Sequence, residues 1–97
     1  MDEAAVKERA EGHAAAMVEG DLRRAARSLS DTGKADAPSV MEKLPKSIES
    51  AQVTHISLTG DEAIATIVYR GEGREVAVES RWAEQDGEPI IVGLSLP

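Results

Sequence analysis

Hydrophobic positions near the start of the chain recur at helical spacing. Val6, Ala10, His13 and Met17 step by four, three and four, with Ala14 and Val18 beside them, which predicts an amphipathic helix over residues 2–19. Glu8, Glu11 and Glu19 fall on its other faces, and Glu3, Lys7 and Glu11 are spaced for pairing one turn apart. Asp2 and Glu3 suit the positive end of the helix dipole. Gly20 is a good terminator, because glycine enters left-handed backbone at little cost. Asp21 then reads as the N-cap of a second helix over about 22–30, with Leu22, Ala25, Ala26 and Leu29 as its apolar stripe. Residues 30–37 are rich in turn formers and predict a loop. Ser39 and Glu42 have capping-box spacing beside Pro38, and Pro45 should stop this third helix early.

After residue 50 the period changes from helical to two. Strand-like runs at about 52–58, 62–70, 74–84 and 89–96 are rich in β-branched residues. Alternation is clearest where Val76, Val78, Ser80 and Trp82 oppose Ala77, Glu79 and Arg81. The links Gly60-Asp61, Gly71-Glu72-Gly73 and Asp86-Gly87 have hairpin-turn chemistry. Three short links predict a four-stranded antiparallel meander. Helices first and strands second predict an α+β fold with the helices on one face of the sheet. The expected core is Val6, Ala10, Met17, Val18, Leu22, Leu29, Ile64 or Ile67, Val76, Val78, Trp82 and Ile90.

Composition refines this picture. At 97 residues, with 41% apolar and 30% charged positions, the chain reads as one globular domain over 1–97. It has one Trp, one Tyr and no Phe, so aliphatic side chains must fill the core. A net charge of −7 disfavours nucleic acid and anionic membranes as partners. The absence of Cys excludes disulfides, thiolate metal sites and Cys nucleophiles. The charged N-terminus lacks the apolar stretch of a signal peptide, and no run is long enough to span a bilayer, so a cytoplasmic location is expected.

Few residues offer chemistry. His13 lies on the apolar stripe of the first helix and should point toward the sheet, as an acid, base or hydrogen-bond donor, or else as a core histidine bonded to a backbone carbonyl. His55, between Thr54 and Ile56, reads as a solvated strand residue. Two histidines without a third clustered ligand make a poor metal set, and neither a metal nor a cofactor is expected. Tyr69 and Trp82 are candidates to line a ligand cavity with His13 and Met17, although Trp82 also suits a plain core role. Arg23, Arg24 and Arg27 could hold an anionic group but read more simply as a solvated face near a helix C-terminus. The glycines of residues 70–74 precede no helix, so they are not a phosphate loop. No Gly-x-Ser-x-Gly motif is present.

Three segments carry a resemblance. The stretch from His13 to Leu22, with Gly20-Asp21 between two helices, resembles the helix–Gly-Asp–helix pattern of nuclear-transport-factor-2-like domains, which include SnoaL-like cyclases and steroid isomerases. Leu58 to Ala63 resembles their Gly-Asp-x-Ala strand start, and Arg81 to Gly87 followed by Ile90-Ile91-Val92 resembles their final hairpin. The resemblance implies a cone, with helices packed into the concave face of a strongly curved sheet and often a small-molecule pocket between them. It also implies that His13 stands where steroid isomerases carry a Tyr donor. The early strands that present the isomerase carboxylate have only residues 30–37 as a counterpart, with Asp31 and Asp36 nearby.

Two functions fit. One is a non-catalytic module that binds a small apolar ligand or dimerises. The other is an isomerase, cyclase or dehydratase that uses His13. A pocket of about 300 Å³ or more with convergent polar groups would mark a ligand site. A homodimer is expected because the last strand, with Ile90, Ile91, Val92, Leu94 and Leu96, is apolar on both faces, leaving Ile91 in need of cover.

Overall fold

The computed structural model describes all 97 residues. Three helices, α1 (Glu3–Glu19), α2 (Leu22–Ala26) and α3 (Asp31–Lys43), precede four strands, β1 (Ser50–Thr59), β2 (Glu62–Gly71), β3 (Arg74–Gln85) and β4 (Glu88–Ser95). The strands form a curved, unclosed antiparallel sheet in the order β1-β2-β3-β4. The α+β reading and the meander are therefore correct. Asp2 caps α1 by accepting from the Ala4 N–H, and Gly20 ends it at φ 75°. Asp21 caps α2 by accepting from the Arg24 N–H at 3.1 Å. The turns Glu72-Gly73 and Asp86-Gly87 have positive φ at both central residues, the combination that matches the right-handed twist of a hairpin.

The expected loop at residues 30–37 is instead the first half of α3, and Pro38 lies inside that helix. Local propensity is overruled by ties to β4. Ser30 accepts from the Gly33 N–H as the N-cap, Thr32 Oγ1 donates to the Val92 carbonyl at 2.8 Å, and the Leu94 N–H donates to Asp36 at 3.1 Å. Backbone bonds Ser30 to Ile91 and Ile91 to Ser28, of 2.9 and 2.7 Å, tie the start of α3 to the same strand. Gly33 permits this approach, because a Cβ there would collide with the Ile91 carbonyl oxygen. The expected capping box at Ser39 and Glu42 is unused, both residues being exposed within the helix. Pro45 does stop α3: Leu44 before it is extended, as a residue preceding proline must be. The second helix is shorter than expected, ending at Ala26, and Leu29 already bridges to Ile91.

The core lies between the helices and one face of the sheet. From β2 and β3 that face presents Ala63, Ala65, Ile67 and Tyr69 opposite Trp82, Ser80, Val78 and Val76. Helix α1 lies across β1 and β2 with Val6, Ala10, Ala14 and Met17 buried, and α3 packs on β4. Two bulges reset the pattern. One at Thr54 lets Val53 and Ile56 share the inner face. A second, opposite Arg81/Trp82, places Ile91 against Trp82 and Leu94 against Ser80 on the inner side, while Ile90 pairs with Ala83 on the outer side. Ile91, not Ile90, is the core residue, and it needs no cover from a second chain. Leu22, also expected inside, is 54% exposed.

Candidate functional site

The helix stripe carries His13 inward, where it is only 7% exposed. Its Nδ1–H donates to the Ala25 carbonyl at 3.1 Å, tying α1 to α2. A carbonyl can only accept, so this bond sets the tautomer and leaves Nε2 as a lone-pair acceptor. Burial disfavours the imidazolium and lowers the pKa of His13 below its usual 6.5, with the Ala25 carbonyl partly opposing the shift. Tyr69, on the inner face of β2, is 2% exposed, and burial pushes its phenol well above the usual range. Both groups are uncharged at neutral pH.

His13 and Tyr69 meet the same cavity of about 170 Å³. Helix α1 contributes His13 and Met17, and the α2 segment contributes Leu22, Ala25, Ala26 and Leu29. From α3 and its end come Ala37, Val40, Met41 and Leu44, and the sheet supplies Tyr69, Val78 and Leu94. No carboxylate, Lys or Arg lines it. A broader groove of about 900 Å³ beside it shares Met17, Leu22, Met41 and Leu44 with the cavity. Leu22 and Met41, two of the exposed large hydrophobics, therefore stand at the boundary between cavity and groove.

Of the four residues expected to line a pocket, His13, Met17 and Tyr69 come together. Trp82 does not: it is fully buried in the packed core, where its Nε1–H donates to Ser80 Oγ at 2.8 Å and Ser80 in turn donates to the Ala65 carbonyl at 2.8 Å. Nor does the cavity reach about 300 Å³, so what fits is smaller than the sequence led one to expect. Of the α3 residues only Ala37 falls in the stretch read as loop; Val40, Met41 and Leu44 lie in the short third helix expected there, which the sequence could not place against the sheet. Their signal was present all the same, since Ala37, Val40, Met41 and Leu44 follow the i, i+3, i+4, i+7 pattern of a helix face.

On its other side His13 borders a polar cleft lined by Glu8, Arg9, Gly12, Arg24, Arg27 and Ser28. Arg9 pairs with Glu88 at 2.7 Å and Arg24 with Glu19 at 3.0 Å, while Arg23 and Arg27 are exposed. His55 is exposed on the outer face of β1. No helix is long and apolar enough to cross a membrane. No protein-family model matches the sequence, and no curated protein shows significant similarity to it.

Proposed function

We propose that this protein is a non-catalytic binding module that takes a small apolar ligand in the cavity between α2, α3 and the inner face of the sheet. The supporting observation is the lining itself, twelve of whose thirteen residues are hydrophobic, with His13 as the exception. An apolar cavity of about 150 Å³ stays dry and accepts benzene in other proteins. The three-helix, four-strand architecture is compatible with the nuclear-transport-factor-2-like arrangement. The catalytic alternative, with His13 as acid, base or donor for an isomerase, cyclase or dehydratase, has less support. Nδ1 of His13 is held by a backbone carbonyl, and no carboxylate lines the cavity to act as its partner.

Saturation with toluene tests the binding reading. At a hundredfold excess over Kd the fold should gain about 2.7 kcal/mol, seen as a higher melting temperature. Methyl NMR signals of Val40, Leu44, Val78 and Leu94 should shift, and Ala26→Leu, which fills the space, should abolish both effects. No shift up to the solubility limit of toluene would sink the reading.

A second copy against the outer sheet face is a further reading, supported by the outward, half-buried positions of Ile64, Ala77, Ala83 and Ile90. The ion pairs Arg70–Glu75 at 2.8 Å and Arg81–Glu62 at 3.7 Å border these residues and limit such a contact to part of the sheet. Light scattering at micromolar concentration should give twice the 10.3 kDa chain mass, and a mass of one chain would remove it.

A further inference from the structure

Two residues that line the cavity, Tyr69 and His13, each carry a hydrogen-bonding atom that the protein itself leaves unused. Tyr69 is nearly sealed, and its hydroxyl makes no hydrogen bond within the chain. Yet no side-chain polar atom is fully enclosed without a partner, so that hydroxyl must look onto open space. The space that Tyr69 lines is this cavity. His13 lines the same cavity and also the polar cleft, and with its Nδ1–H committed to Ala25 its Nε2 is the ring atom left free to accept. A ligand that seals these atoms from water without replacing their hydrogen bonds costs about 1–3 kcal/mol for each, so a ligand that satisfies both is selected over one that does not. The remaining lining is hydrocarbon and thioether. An ionic ligand would lose its hydration there and meet no opposite charge.

Size sets the other limit. About 170 Å³ accommodates one six-membered ring and little more. The unused groups are a hydroxyl that donates or accepts and a nitrogen that only accepts. A ligand hydroxyl can accept from Tyr69 and donate to Nε2 of His13. A ketone offers no donor, and a hydrocarbon matches neither group. We infer that the ligand is a neutral, single-ring molecule bearing one hydroxyl group, a phenol or a cyclic alcohol, whose oxygen is read by Tyr69 and His13. This inference rests on the binding reading above and names the ligand class for the same cavity.

Four probes and one variant test it by calorimetry or ligand titration followed by NMR. Phenol and toluene have nearly the same shape and differ in the hydroxyl. Tyr69→Phe should weaken phenol by roughly tenfold, the size of one hydrogen bond, and leave toluene within about twofold. Unchanged toluene binding also reports that the variant keeps its cavity. Cyclohexanone, the size of cyclohexanol but lacking a donor, should bind the wild-type protein several-fold more weakly than cyclohexanol does. Phenol affinity that ignores Tyr69→Phe would overturn the inference, as would equal binding of the ketone and the alcohol. If toluene binds and phenol does not, the ligand class is wrong while the apolar site stands. If none of the four binds, the binding reading falls with it.

Discussion

The two ends of the helix–sheet interlayer are built differently. At one end Trp82, Ala63 and Ile91 are fully buried, and α1 covers them with Val6 and Ala10, also fully buried. At the other end, six residues earlier in β3, Val76 pairs with Tyr69, and the space between Tyr69, Val78 and Leu94 and the helices is hollow. The sheet is continuous through both ends, so the difference lies in side-chain volume. The single Trp occupies the first end, and alanines at 25, 26 and 37 face the second. A chain with two aromatic residues fills one end of its interlayer and leaves the other lined by small and flexible side chains.

The largest test of this contrast is Trp82→Ala. Removing the indole from the packed end should cost about 3–5 kcal/mol in urea denaturation, because the neighbours there have no room to collapse and Ser80 Oγ loses its donor. A cost below about 1 kcal/mol would mean that the end is not tightly packed.

Next comes a pair with opposite expected signs. Ala65→Leu, on the fully buried inner face, should destabilise by about 1–3 kcal/mol through overpacking. Ala26→Leu, at the hollow end, should stabilise by about 0.5–2 kcal/mol by filling space. Equal costs for the two would erase the distinction between the ends.

A smaller effect should follow pH. His13 titrates below 6.5 in the folded chain and near 6.5 when unfolded, so its contribution is fully present above about pH 6.5. It is lost progressively as pH falls from there through the lowered folded value, where both states carry the proton. The charged groups facing the ring are Glu8, Arg9, Arg24 and Arg27 in the cleft, while Tyr69 on the cavity side stays neutral across this range. An NMR titration of the His13 ring that gave a midpoint above 6.5 would refute this sign. Least of all, Tyr69→Phe should leave stability within about 0.5 kcal/mol, since the hydroxyl bonds nothing in the chain. A larger loss would show that it has a partner.

Much of the architecture could be read before folding. The Val6–Ala10–His13–Met17 stripe foretold α1 and the inward His13, Gly20-Asp21 marked the break to α2, and the strands fell within two residues of their expected ends. The cavity was only partly legible. Met17 and Tyr69 line it as expected, but the α3 wall was hidden because Gly33 and Pro38 make residues 30–38 a poor helix by local propensity, and the short helix expected after them carried no sign of where it docks. Trp82 was read both as a core residue and as a lining residue, and only the core role holds, because its type says that it is large and amphipathic but not which end of the sheet has room.

The local code by itself determined where periods change, where turns must fall and which residues cap α1 and α2, since those depend on the backbone and a few neighbours. Tertiary structure decided three further things. It made residues 31–38 helical, because Thr32, Gly33 and Asp36 dock on β4 and the docking outweighs weak propensity. It chose Ile91 over Ile90 for the core, because a bulge against β3 resets a strand whose pattern is apolar on both sides. And it placed an unfilled volume between Tyr69 and His13, because space is left over only when particular side chains from six elements are brought together, and no single stretch of sequence carries that sum.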